Sequence, residues 1–162
     1  MTTPEYITSM TNIDVIIRIL LAVILGSIIG FERERRHKPA GLRTIILVLL
    51  GSTLLTVMAV YIYTDFNAGG NADIGRIVGQ IITGIGFLGA GAIIQGRGSI
   101  HGMTTAATIW VVAAIGIANG LGYYLIAIIA TILTLMILMI LGIMEKREME
   151  SQNNENNSQL KS

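Results

Sequence analysis

Gly84, Gly86 and Gly89 fall in a G-x-G-x-x-G pattern, the spacing that lets a strand–turn–helix unit cradle a dinucleotide. That chemistry needs a strand before the pattern, a helix after it, and an acidic residue about 20 positions further on. Here the flanks are apolar, and at that distance the chain reads Thr108-Ile109-Trp110, with no acid. The glycines instead suit helices whose backbones approach closely in lipid. No nucleotide and no nucleic acid is expected.

The other chemistry-bearing residues are ionisable or polar groups inside apolar segments, where they are costly and so serve as functional candidates. Asp14, Arg18 and Arg76 fall near one edge of such segments, and Glu32 and Arg43 near the other. Gln80 and Thr83 lie deepest in the glycine-rich stretch, and Asn119 closes the segment after it. Each has a structural reading beside the functional one. Asp14 and Arg18, four residues apart, can pair at a helix end, with Arg18 snorkelling to water. Glu32 and Arg43 can neutralise each other across a loop, and Gln80 can tie helices together. No carboxylate lies in the middle of any apolar segment, which disfavours a hard-cation path or a proton relay in a single chain. The chain has no cysteine, and its two histidines, His37 and His101, fall in short connections. No catalytic constellation forms, so an enzyme is not expected, and no metal ligands can be assigned.

The elements that position these groups follow from composition. Of 162 residues, 52% are hydrophobic and 13% charged, and mean hydropathy is +0.70. Soluble domains carry about 25% charged residues, so the bilayer is this chain's solvent. Residues 1–12 have neither a basic n-region nor a small-residue cleavage site, so the first apolar segment is expected to act as its own insertion signal.

That segment runs from Ile13 to Phe31, with Asn12 as its expected N-cap and Gly26/Gly30 as a close-packing face. A charged loop, Glu32–Arg43, leads to a second span, Ile45–Tyr63. A polar turn, Asp65–Gly75, precedes the third span, Arg76–Gln95, whose glycines read as the centre of a helix bundle. A helix unwound over Gly84 to Gly91 is the sharper alternative for Gly84, Gly86, Gly89 and Gly91, since it would free backbone groups for a ligand. A tight turn, Arg97–Gly102, precedes an uncharged stretch about twice as long as a bilayer core needs. Asn119-Gly120-Leu121-Gly122 divides it into spans Met103–Ala118 and Tyr123–Met144. The tail, Glu145–Ser162, is polar and reads as disordered after a short helical stub. Residues 13–144 thus form an all-α, multi-pass transmembrane bundle of about five helices. G-x-x-x-G recurs at Gly75/Gly79 and Gly116/Gly120.

Five spans place the termini on opposite sides. With the N-terminus out and the C-terminus in, nine of the eleven Lys and Arg residues (33, 35, 36, 38, 43, 97, 146, 147 and 161) are cytoplasmic, in keeping with the positive-inside rule.

Taken in order, Gly30-Phe31-Glu32-Arg33-Glu34, Ala40-Gly41-Leu42-Arg43-Thr44, Arg76 with Gln80, Gly84 to Gly91, and Gly102-Met103-Thr104-Thr105-Ala106-Ala107-Thr108-Ile109-Trp110 resemble the MgtC/SapB family. The match covers about Ile19 to Gly122, the membrane part of that family. The resemblance implies a small multi-pass protein of a prokaryotic inner membrane, linked to growth in low magnesium. Glu32, Arg43, Arg76, Gln80, Gly86, Gly89, Thr105 and Trp110 are the matching positions. It further implies action on membrane partners, including ATP synthase and cation-transport ATPases. Apart from the resemblance, a homo-oligomer could bring together acids from the segment ends. Some members add a soluble regulatory domain, where this chain has a short polar tail. Two functions follow. The first is a non-enzymatic regulator working through lateral helix contacts in the lipid bilayer. The alternative is a transporter or channel for Mg2+ or another cation, lined by the third helix. No cofactor is expected beyond Mg2+ as ligand or cargo.

Overall fold

Helix α1, Asn12–Arg35, begins at a capping box. The Thr11 hydroxyl accepts the Asp14 N–H at 3.3 Å, and the Asp14 carboxylate accepts the Thr11 N–H at 2.9 Å. The cap is therefore Thr11 and not Asn12, and Asp14 is engaged with Thr11 and not with Arg18. The helix also runs past Phe31, so Glu32 and Arg33 belong to it. Glu and Arg are good helix formers, and no breaker occurs before Pro39. The structure, a computed structural model, describes residues 10–66, 73–96 and 99–159.

Helix α2, Leu42–Phe66, starts where Glu34 of α1 accepts the Leu42 N–H at 2.9 Å. Helix α3, Ile74–Gly91, is capped by Asp73, whose carboxylate accepts the Gly75 N–H at 2.8 Å. It is helical through Gly84, Gly86, Gly89 and Gly91, which overturns the unwound alternative. Each glycine weakens a helix by about 1 kcal/mol, whereas each backbone group left unpaired in lipid costs several.

The third span is shorter than expected. After Gly91, strands β1 (Ile94–Gly96) and β2 (Ser99–His101) pair antiparallel, Ile94 opposite His101. Gly102 closes this hairpin at φ +90°, and a Cβ there would run into the Ala92 carbonyl. Helix α4, Met103–Gly120, ends at the expected break, where Gly122 has φ +85°. Helix α5 then runs from Tyr124 to Gln159. The tail expected to be disordered is thus helical through Gln159, since Glu, Lys, Arg, Met and Gln favour helix and no Pro or Gly follows Gly142. The Gly69-Gly70 turn, Arg97 and Lys161 lie outside the described residues.

Four helices, α1 to α4, are long and apolar enough to cross a bilayer, and α5 opens with a shorter apolar stretch, Tyr124–Ile140. The chain is a multi-pass membrane protein. Its centre is α4, which packs against the other four helices, with Ile109, Val112 and Ile115 joining Ala22, Ile29 and Leu49 in the core. The glycine-rich α3, expected at the centre, lies at the edge: among its described residues only Ile81, Ile85 and Gly89 are buried. The reason is where the small residues fall. A Cβ on Gly26 or Gly30 would stand 3.0 Å from Ile46 Cα or 2.9 Å from Leu42 Cα, so α1 and α2 touch backbone to backbone. Gly116 and Gly120 do the same for α4 on α2, whereas Gly79, Gly84, Gly86 and Gly91 face open space.

Candidate functional site

Helix α1 buries a single stripe: Arg18, Ala22, Leu25, Ile29, then Glu32 and Arg33. Steps of three and four keep these on one face. The stripe therefore carries a cation to each end of the helix core, 15 residues or about 22 Å apart at 1.5 Å per residue. Each end builds a buried polar cluster.

At one end Arg18 is buried and donates to the Gly120 carbonyl, the exposed-acceptor end of α4, and at 3.3 Å to the Tyr124 hydroxyl at the start of α5. The expected Asp14–Arg18 pair and the snorkelling arginine are both replaced by this inward tie. A guanidinium at a helix C-terminus satisfies a carbonyl that has no partner within its own helix and complements the helix dipole. Asn119 completes the cluster. Its side-chain amide donates to the Arg18 carbonyl at 2.8 Å and to Thr53 Oγ1 at 3.2 Å, and Thr53 in turn donates to the Gly116 carbonyl at 3.0 Å. One amide thus joins α1, α2 and α4.

At the other end Arg33, 2% exposed, donates to Thr105 Oγ1 at 2.6 Å, linking α1 to the first turn of α4. Glu32 is also buried and forms an ion pair with Arg36, one turn on, and not with Arg43. Arg36 reaches across to donate to the Met139 carbonyl of α5 at 3.3 Å. Arg43 is exposed, so the expected Glu32–Arg43 neutralisation does not occur. A buried guanidinium that loses a hydrogen-bond acceptor is left with an unsatisfied charged donor. Thr105→Val should therefore lower stability by about 1.5–3 kcal/mol, and Thr105→Ser should restore most of it. Denaturant unfolding in detergent micelles, followed by circular dichroism, measures both.

The remaining candidates lie elsewhere. Arg76 and Gln80 share the exposed face of α3, with no hydrogen bond or ion pair to either among the described residues. Trp110 is half exposed on α4. Gly89 packs near Ala106, and Gly84, Gly86 and Gly91 pack against nothing within 4 Å. Arg33, Arg36 and Tyr124 were not singled out from the sequence. The signal for Arg33 was available: it continues the three-and-four spacing that runs from Arg18 through Ala22, Leu25 and Ile29.

Among the described residues no three His, Asp or Glu side chains come together. Glu32 offers a single carboxylate, already paired to Arg36 and next in sequence to Arg33. Mg2+ takes near-octahedral oxygen ligands, so these residues do not fit a magnesium site. What they do fit is a set of ties that hold helix ends in register.

The model of the MgtC family matches this chain over residues 19–147, which include Glu32, Arg33 and Thr105. The chain belongs to the MgtC family. Relatives within reach of this MgtC-family chain include "Putative magnesium transporter YhiD" of Escherichia coli K12, 44% identical over 117 residues, 71% of this chain and 54% of that protein. Protein SapB of Bacillus subtilis is 38% identical over 114 residues, 68% of this chain and 49% of that protein. Protein MgtC of Salmonella typhimurium LT2 is 43% identical over 109 residues, 67% and 44% respectively. The chain thus aligns over about half the length of these curated relatives. No solved structure matches it.

Proposed function

We propose that this chain is a non-enzymatic protein of magnesium homeostasis in a prokaryotic inner membrane, acting on other membrane proteins through the open face of α3. Family membership and the relatives' names support the link to magnesium. One observation carries the mode of action. Arg76, Gln80, Thr83, Gly84, Phe87 and Gly91 fall within about 100° of one another around α3, and all are exposed. They lie opposite the buried row Ile81, Ile85 and Gly89. Phe87 stands 82% exposed between glycines that meet nothing. In lipid, where apolar burial drives little association, small residues beside a large one let a second helix approach closely and interlock. ATP synthase and cation-transport ATPases are the partners the family suggests. The positive-inside rule supports the α1 start outside and the Glu32–Arg43 loop inside.

The test uses a photo-crosslinking residue at Phe87 in cells starved of magnesium. A crosslink to another membrane protein is expected, and Gly84→Leu should reduce it about tenfold while leaving the unfolding midpoint unchanged, because the site has space. Magnesium flux into proteoliposomes above that of empty vesicles, lost in Arg76→Ala, would overturn this reading in favour of a transporter.

A further inference from the structure

A groove of 790 Å³ opens between α1, the start of α2 and α5. Its walls are Ile28, Phe31, Leu42, Leu135 and Met139, and its mouth is formed by Glu32, Arg35 and Arg36. The charges at the mouth do not cancel. Glu32 is paired with Arg36, and the exposed Arg35 guanidinium, 6.0 Å from the centroid of the Phe31 ring, has no ion pair among the described residues. Arg36 also spans the end of the groove, from α1 to the Met139 carbonyl, and takes the place a side chain on Gly142 would fill. Among the described lining residues, Glu32, Arg35 and Arg36 leave a net single positive charge at one end, and an aliphatic and aromatic trough runs from it between the helices. Both flanking helices present exposed apolar faces, α1 through Ile24 and Ile28 and α5 through Ile132 and Met136.

We propose that this groove holds one anionic phospholipid of the surrounding leaflet, its phosphodiester on Arg35 and Arg36 and an acyl chain between α1 and α5. A phosphodiester of single negative charge matches the net charge of Glu32, Arg35 and Arg36, and arginine is suited to two-point phosphate contact. The depth at which the charges sit agrees. The mouth lies in the last turn of α1, where the helix leaves its apolar segment and headgroups begin. The groove is open on one side, as entry of an acyl chain from the bilayer requires. Bound there, the lipid fills the seam where α1 and α5 diverge. This inference is independent of the α3 contact face.

Native mass spectrometry of the purified chain in detergent, titrated with phosphatidylglycerol, tests it. One phosphatidylglycerol per chain is expected, retained in preference to phosphatidylcholine. Arg35→Gln, at an exposed position, should weaken retention about fivefold, the effect of one basic residue at a membrane surface. Leu135→Trp, which fills the trough and leaves the charges in place, should abolish it. Three results would overturn the proposal: equal retention by the unmodified chain and Arg35→Gln, equal retention of phosphatidylcholine, or displacement by glycerol phosphate, which has the headgroup without the chains. If Leu135→Trp misfolds by circular dichroism, the Arg35→Gln and glycerol phosphate results decide alone.

Discussion

Gly116→Val is expected to destabilise the bundle by about 3 kcal/mol or more, the upper range for forcing atoms into a packed interior. A Cβ at this position would stand 2.6 Å from the Leu49 carbonyl oxygen and 2.8 Å from Ser52 Cβ. The obstacle includes backbone of α2, which no rotamer change can move. Separating the helices would also pull Thr53 from the Gly116 carbonyl and Asn119 from Thr53. Gly120→Val should behave alike, since its Cβ would meet Thr56 Cβ at 2.6 Å and the Thr53 carbonyl at 2.8 Å. The comparison that gives this meaning is Gly84→Ala. That Cβ meets nothing, and alanine is the better helix former, so a small gain of about 0.5–1 kcal/mol is expected. Unfolding in detergent micelles, followed by circular dichroism, reads all three. Equal losses at Gly116 and Gly84 would mean that α2 and α4 do not meet as described.

Arg18→Met carries the second large effect. Methionine keeps most of the volume and removes every donor, so the buried Gly120 carbonyl loses its charged partner and Tyr124 its contact. A hydrogen bond to a charged group contributes about 1.5–3 kcal/mol, and a buried acceptor left without a donor adds to the loss. The expected total is about 3 kcal/mol. Three variants should rank in order. Tyr124→Phe, which removes only the long, partly buried 3.3 Å contact, should cost about 1 kcal/mol or less. Arg18→Lys should fall between, because one ammonium lacks the forked reach to both acceptors. Asn119 would keep its bond to the residue 18 carbonyl in all three, so α1 and α4 should remain joined. If Arg18→Met proves neutral, the arginine turns outward to water and the tie to α4 is absent.

These two sites also mark how far the sequence was legible. The number of helices, their approximate spans and the break at Asn119 to Gly122 follow from hydropathy, length and glycine alone, because the bilayer fixes how long an apolar helix must be. The close contacts at Gly26/Gly30 and Gly116/Gly120 follow from spacing. The same spacing at Gly75/Gly79 misleads: Gly79 faces open space, and small residues mark a surface fit for close approach without saying that this chain supplies the other helix. Pairing was the weakest inference. Asp14 and Arg18 are four residues apart, Glu32 and Arg43 flank one connection, and both pairs are opposite in charge. Arg18 turns instead to Gly120, 102 residues away, and Arg33 to Thr105, 72 residues away. Local spacing reports only local partners, such as Glu32 and Arg36; the ties of Arg18 and Arg33 come from helices that the fold brings together.

The edge position of α3 bears on how the molecule moves. Among the four long spanning helices, the one anchored by a single row of three buried residues has the least to lose by detaching, so it should open in small excursions that leave α1, α2 and α4 closed. Amide hydrogens of α3 would then exchange fastest among the spanning helices, and its exchange would slow selectively when another helix docks on it. The segment that offers the contact surface is also the segment whose docking can be timed.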